Sequence, residues 1–328
     1  MYANWCGDPK NVNNMPILVE ILLLIAGLIL VVLGADALVD GASSVAKRLG
    51  VSEFVIGLVI VGFGTSCPEL VVSLTGAFKG NADISVGNVV GSNIFNTLLI
   101  LGLTAVVAPV AVTSSNSRKD IPLALLISFL FVFLAVQGDG ISRFEGILFL
   151  LLFIAYIIFS FKSSKASSAQ DDSEQTRTRG LGVSILMILL GLAGLIIGGQ
   201  LFVDNACSLA RELGVSDKII AITLLAGGTS LPELATCIVA AAKHKDQLAL
   251  GNILGSNVFN ILLILGCSAV VTPLSTVSMN FVDFGVLLLS AILIWLFTYT
   301  GTRNRIDRWE GALLVASFIA YFAYLFIQ

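Results

Sequence analysis

Apolar runs about as long as a bilayer is thick recur from one end of the chain to the other, and polar residues collect between them. A helix needs about 20 such residues to cross hydrocarbon. The pattern predicts ten spans, at residues 17–38, 52–78, 83–108, 120–137, 141–161, 181–204, 216–242, 248–272, 281–300 and 308–327. The second, third, seventh and eighth are long and rich in glycine and small polar residues, so they read as broken or tilted rather than regular. The predicted class is an all-α integral membrane protein.

The pattern also repeats itself. A shift of 164 residues, with no gap, lays Asp40 on Asp204, Glu69 on Glu233, Asn88 on Asn252, Asn96 on Asn260 and Pro109 on Pro273. Between 64–102 and 228–266, 20 of 39 positions are identical, and matched leucines alone would not keep the polar letters in register. The copies are joined by KSSKASSAQDDSEQTRTRG, a Ser-rich stretch of mixed charge that reads as a flexible linker too short to be a folded domain. The chain therefore divides into a polar tail at 1–16, a five-helix repeat at 17–161, a linker at 162–180 and a second five-helix repeat at 181–328. Five is odd, so the second repeat enters the membrane upside down relative to the first. Two inverted repeats with broken helices at the midplane are the signature of a secondary transporter.

The costliest residues in the apolar pattern come twice, in GTSCPEL (Gly64 to Leu70) and GTSLPEL (Gly228 to Leu234). A charge at the centre of a spanning helix costs about 2.5–3.5 kcal/mol on insertion scales. Pro68 and Pro232 lack an N–H and clash with the carbonyl four residues earlier. Carbonyls around Gly62–Gly64 and Ala226–Gly228 are therefore expected to lose their helical partners, which is tolerated at membrane depth only inside protein or along a cavity. Thr65 and Ser66 add hydroxyls one turn before Glu69, as Thr229 and Ser230 do before Glu233. In the following spans Asn88, Ser92 and Asn96 recur every four residues on one helix face, and Asn252, Ser256 and Asn260 repeat the stripe. The same stretches, GNVVG and GNILG, are GxxxG patterns that let helices approach closely, and the two uses are compatible.

Glu69 and Glu233 alone would also suit a structural pair hydrogen-bonded between helices. Their neighbours favour an ion site, because carboxylates, hydroxyls, amide oxygens and freed carbonyls are all hard oxygen donors. Ca²⁺ takes about six to eight such ligands in flexible geometry. With no buried histidine and no thiolate cluster, zinc and copper are disfavoured. Two negative charges balance one Ca²⁺ or two monovalent cations, and that competition is a basis for exchange.

Composition agrees with the membrane reading: 57% of the residues are hydrophobic, 12% are charged, and the mean hydropathy is +0.98. With the N-terminus outside, thirteen Lys and Arg fall in inside segments and five in outside ones. This bias places both termini outside and the 162–180 linker in the cytoplasm of a cell-membrane protein. The five cysteines (Cys6, Cys67, Cys207, Cys237 and Cys267) include no CxxC pair and read as small apolar fillers without a disulfide framework. His244, the single histidine, falls in a loop. The tail lacks the basic start of a signal peptide, and Met15 is an alternative start.

GTSCPEL with GNVVGSNIFN, and GTSLPEL with GNILGSNVFN, resemble the paired alpha repeats of the sodium/calcium exchangers, within the cation/calcium antiporter superfamily. The resemblance covers nearly the whole chain and suggests a minimal, prokaryote-like member without the large regulatory loop of animal relatives. It implies that Glu69 and Glu233 are shared central ligands. Thr65, Ser66 and Ser92 would join them from the first half, and Thr229, Ser230 and Ser256 from the second. Carbonyls of Gly62 and Ala226 would complete flanking sodium sites, with Asn96 and Asn260 at the centre. The family implies alternating access, with the first and sixth helices sliding across the others, no cofactor, and a single chain sufficient for transport. Gly27, Gly34, Gly191, Gly194, Gly198 and Gly199 would give sliding faces, although glycine is enriched in membrane helices generally. Asp36, Asp40 and Asp204 read as interfacial or helix-end residues rather than ligands. Some relatives, including the potassium-dependent exchangers, carry Asp where Asn260 stands, so Asn here implies exchange independent of K⁺.

A Ca²⁺/H⁺ antiporter is the nearest rival, since buried glutamates carry protons, but the GNATEL-like motif of the proton-coupled branch is missing. A passive channel would be symmetric across subunits rather than inverted within a chain. An enzyme would need a nucleophile and base, and no His or Lys lies near the motif.

Overall fold

The computed structural model describes residues 16–80, 82–138, 140–167, 179–214, 226–276, 279–302 and 304–327. The chain is nearly all helical. Helix α1 spans Ile17–Leu49, well past the apolar run at 17–38. It continues because its later residues are small: Ala42, Ser43, Ser44 and Ala46 are buried, and a polar hydroxyl in a helix is easily packed. It stops at Gly50, whose φ of 59° is left-handed and whose N–H bonds the Ala46 carbonyl.

The second span is broken, as expected. Helices α2 (Glu53–Thr65) and α3 (Cys67–Phe78) meet at 47°. Then follow α4 (Asp83–Val107), α5 (Asn116–Gln137), α6 (Arg143–Ser167) and α7 (Leu181–Glu212). The second half continues with the short α8 (Ala226–Gly228), α9 (Leu231–Ala242), α10 (Asp246–Val271), α11 (Phe281–Phe297) and α12 (Arg308–Ile327). Among the described residues six helices are long and apolar enough to cross a membrane, or seven with the bent pair as one span. The seventh expected span, 216–242, lies partly outside the described residues.

The sequence pattern missed two features. Short antiparallel strands tie loops together, β1 (Val110–Ala111) with β4 (Arg305–Ile306) and β2 (Gly140–Ile141) with β3 (Leu274–Ser275). Wider π-helical turns occupy Gly57–Val61, Phe95–Ile100 and Asn260–Leu265 inside the spans. Such turns are commonest at functional sites.

Helices α4 and α10 form the centre. In their most apolar stretches 72% and 78% of residues are buried, against 22% and 28% for α1 and α7. Glycine sets how closely α10 approaches α2. A Cβ on Gly251 would stand 2.2 Å from the Phe54 carbonyl oxygen, and one on Gly255 2.5 Å from that of Leu58. At the periphery, α1 and α7 lie backbone to backbone. A Cβ on Gly27 would come within 2.8 Å of the Gly198 oxygen, and one on Gly34 within 2.8 Å of the Gly191 oxygen. Their outer faces carry exposed Leu22, Ile29, Leu33, Leu186 and Leu190, which suit lipid contact.

Asp36 and Asp40 sit well inside α1 and are ion-paired with Lys243 in the turn after α9. Partial burial disfavours the Lys243 ammonium, but hydrogen bonds to Asp36 and Asp40 outweigh it and raise its pKa. His244 follows in the same turn, as expected, with φ of 57°. The cysteine reading needs one correction. Cys67, Cys237 and Cys267 are free, but Cys207 is disulfide-bonded, with its partner outside the described residues. A thiol near a helix end was read as filler because sequence spacing does not show which chain segments meet there.

Candidate ion-binding site

The site is built on the two helix breaks. At Ser66 the backbone turns out of helical geometry (φ −83°, ψ 5°), and α3 restarts with Pro68 in its first turn, where a missing N–H costs nothing. Ser230 (φ −90°, ψ 7°) and Pro232 do the same before α9. Glu69 and Glu233 therefore fall in first turns, where the positive end of the helix dipole favours a carboxylate. Each glutamate is only 1% exposed.

The two breaks are laced together reciprocally. The Ser66 hydroxyl donates to Glu233 Oε1 at 3.2 Å, and the Ser230 hydroxyl donates to Glu69 Oε1 at 3.2 Å. Thr229 stands beside Glu69, and Thr65 beside Glu233. Thr65 Oγ1 also lies 3.0 Å from the Val61 carbonyl oxygen and 3.2 Å from Asn252 Oδ1.

A second reciprocal lattice joins α4 to α10. Asn96 Nδ2 donates to Asn257 Oδ1 at 3.2 Å, and Asn260 Nδ2 donates to Asn93 Oδ1 at 2.9 Å. Asn93 Nδ2 reaches the Asn257 carbonyl at 3.1 Å, and Asn257 Nδ2 reaches Thr97 at 2.8 Å. Asn93 and Asn257 were not singled out in the sequence, because the four-residue stripe passes them by. Their signal was present in the repeated GSN. With its amide nitrogen so held, each of Asn96 and Asn260 keeps its oxygen free.

These contacts leave a distinctive remainder. Glu69 Oε2, Glu233 Oε2, Asn96 Oδ1 and Asn260 Oδ1 are buried with no hydrogen-bond partner. They are four of the nine such side-chain atoms among the described residues, and they come from two pairs of repeat-related positions. Buried polar atoms are nearly always partnered, so four repeat-related orphans call for an explanation, such as a bound water or ion.

The other expected ligands fall as follows. Ser92 is buried on α4. Ser256 is buried on α10, its hydroxyl donating to the Gly62 carbonyl at 3.4 Å. That carbonyl was expected to be freed by Pro68, but it accepts the Ser66 N–H at 3.1 Å. The helical bond at Gly62 therefore survives, and the same Ser66 N–H also faces the Gly64 carbonyl. Gly62 still matters sterically, since a Cβ there would meet the Ser256 nitrogen at 3.1 Å. Ala226 opens α8. Asn88 and Asn252 brace the breaks. Asn88 Nδ2 donates to the Glu69 carbonyl at 3.2 Å and to the Ser73 hydroxyl at 3.0 Å, and Asn252 Nδ2 lies 3.2 Å from Cys237 Sγ. Among the described residues no three His, Cys, Asp or Glu side chains cluster. The donors are thus two carboxylates, amides and hydroxyls, a set suited to hard cations.

Fold and site together define a helical membrane protein with a buried, oxygen-lined centre. The profile of the sodium/calcium exchanger protein family matches residues 19–162 and 183–327, and the chain belongs to that family of ion transporters. It is 35% identical over 351 residues to the sodium/calcium exchanger MaX1 of Methanosarcina acetivorans, covering 94% of this chain and 99% of that one. It is 38% identical over 314 residues to the inner membrane protein YrbG of Escherichia coli, covering 93% and 96%. A solved structure of the sodium-calcium exchanger NCX_Mj, soaked with zero Na⁺ and Ca²⁺, matches with a TM-score of 0.83 and 34% identity over 94% of this chain and 99% of that chain.

Proposed function

We propose that this protein exchanges Na⁺ for Ca²⁺ by alternating access, without a requirement for K⁺. The reading rests above all on the four orphaned oxygens. Each carboxylate has one oxygen held by a serine of the opposite repeat and one oxygen free, so the pair is oriented but not satisfied. A Ca²⁺ ion, or two Na⁺ ions, would neutralise both charges, and the two ions as cargo would compete for the same oxygens. Gly62, Thr65, Ser66, Ser92, Ala226, Thr229, Ser230 and Ser256 supply the surrounding donors in this reading. The neutral amide of Asn260 leaves the centre with two charges rather than three, which removes the need for a further cation such as K⁺.

The same reading takes the chain as ten spans in two inverted repeats, 17–161 and 181–328, joined by a cytoplasmic linker at 162–180, with both termini outside. The reciprocal serine–glutamate and asparagine–asparagine contacts support a two-fold relation between the halves. The distribution of Lys and Arg supports the sidedness.

The test is Ca²⁺ uptake into Na⁺-loaded proteoliposomes, with and without K⁺, beside vesicles carrying only a pH gradient. Uptake should follow Na⁺ and ignore K⁺. Uptake driven by the pH gradient alone would instead favour proton exchange through the two neighbouring carboxylates.

A further inference from the structure

Some contacts obey the 164-residue repeat, and they fall within two bodies, the centre and the α1/α7 pair. In the centre, Ser66–Glu233 maps onto Ser230–Glu69, and Asn96–Asn257 maps onto Asn260–Asn93; all four contacts are made. In the α1/α7 pair, Gly27–Gly198 maps onto Gly191–Gly34, and Ser44–Ser184 maps onto Ser208–Glu20; again all are made.

The contacts between the two bodies are not symmetric. Gly64 receives the Leu192 side chain and Gly228 receives Val203, both from α7. The repeat-related residues on α1, Leu28 and Val39, are not the nearest neighbours of Gly228 and Gly64, and Leu28 is 44% exposed. The ion pairs are lopsided in the same way. Lys243, which directly follows the helix carrying Glu233, binds Asp36 at 2.7 Å and Asp40 at 2.6 Å. Arg179, at the end of the linker, adds a contact to Asp40 at 3.2 Å. The repeat partner of Lys243 is Lys79, which directly follows the helix carrying Glu69, and the partner of Asp40 is Asp204 on α7. Yet no ion pair joins Lys79 or Asp204 to any described residue.

Two bodies that each carry repeat-related contacts, held in an asymmetric relation, have a second arrangement of the same kind, reached by exchanging the roles of the repeats. Resting on the antiport reading, we propose that Lys79 and Asp204 are an open latch that closes in the opposite-facing state, when the Lys243–Asp40 latch on the linker side opens. In that state Gly228 would receive Leu28 and Gly64 would receive Val39. Each latch ties the α1/α7 pair to the foot of a helix bearing a site glutamate, so the two ion pairs set the balance between the states. The second latch is the weaker, because Gln200 stands where Asp36 has its repeat partner and Met15 where Arg179 does. Losing one exposed ion pair shifts such a balance by about 1.4- to fivefold.

The experiment places Lys79→Cys and Asp204→Cys in a chain whose native cysteines are replaced, and follows cross-linking by a short bifunctional thiosulfonate reagent. Adding Lys243→Met should speed the cross-link by about 1.4- to fivefold, and Asp40→Asn, which opens the same latch from the other side, should act alike. A cross-link that never forms, or whose rate ignores both releasing variants in monodisperse protein, overturns the proposal. This readout needs no transport, so it is separate from a failure of wild-type Ca²⁺ uptake, which would overturn the antiport reading itself. In transporting vesicles, Lys79→Glu and Asp204→Lys should each slow exchange, and the double reversal should restore it. Additive losses would mean that the two residues never meet.

Discussion

Glu69→Gln separates an ion ligand from a structural glutamate. The substitution preserves shape, and the new amide oxygen can still accept from the Ser230 hydroxyl. It removes one of two charges and sets an NH₂ group where the free Oε2 stands. Removing one charge from a buried pairing costs about 2–5 kcal/mol, so Ca²⁺ should bind at least about 30-fold more weakly. At a concentration 100 times its dissociation constant, a ligand stabilises the folded state by about 2.7 kcal/mol; after a 30-fold loss that falls to about 0.9 kcal/mol. The unliganded protein should not suffer, because a midplane charge is itself costly. Thermal unfolding in detergent, with and without Ca²⁺, reads both quantities. The expected result is an unliganded midpoint equal to or above wild type and a Ca²⁺-induced rise cut to about a third, with Ca²⁺ uptake abolished. A full wild-type Ca²⁺ response in Glu69→Gln would refute the assignment, and Glu233→Gln should behave in the same way.

Three further outcomes are expected. In the proposed site Asn260→Asp would add a third carboxyl to two others, and crowding raises proton affinity, so initial Ca²⁺ uptake should fall more steeply toward acid pH than in wild type; superimposable pH profiles would contradict this. Gly34→Ala drives a methyl to 2.8 Å from the Gly191 oxygen and should lower stability by about 1–3 kcal/mol and slow exchange, whereas Gly285→Ala, with open space around its Cβ and an exposed position, should leave the melting temperature equal or higher. With the native cysteines replaced, an impermeant thiol reagent on intact cells should label Asn14→Cys and spare Ser168→Cys, and the reverse pattern would invert the sidedness.

Much of this was legible in the chain because the bilayer punishes every polar residue that lacks a purpose. Glu69, Pro68 and their copies stood out against apolar runs, and the gapless repeat fixed which residues correspond. What stayed hidden follows from reading a single helix face. A four-residue stripe groups Asn88 and Asn252 with Asn96 and Asn260 and passes over Asn93 and Asn257, whose side chains bridge α4 and α10. The first contact of Asn88 is the Glu69 backbone, a bracing role that no spacing rule reveals. The Gly62 carbonyl was misjudged too, because a proline strips a partner from one carbonyl four residues back and not from a whole turn.

In the proposed reading, the reciprocal lattice also lets a buried pair of glutamates serve exchange rather than stability. Had both oxygens of each carboxylate been partnered, the pair would be a satisfied polar core, and a cation would have to break hydrogen bonds to enter. Had neither been held, the side chains would be free to turn away from each other and any ion would meet a disordered pair. The structure lies between these limits: Oε1 of each glutamate is fixed by a serine from the opposite half, and Oε2 is left bare. A bare buried acceptor is unfavourable by about 1–3 kcal/mol, and more when charged. In the proposed reading, a cation that fits between these oxygens would relieve that cost. If the same bare oxygens serve each cation, as proposed, one ion's arrival would require the other's departure, and the fixed oxygens would keep the site in register while that happens.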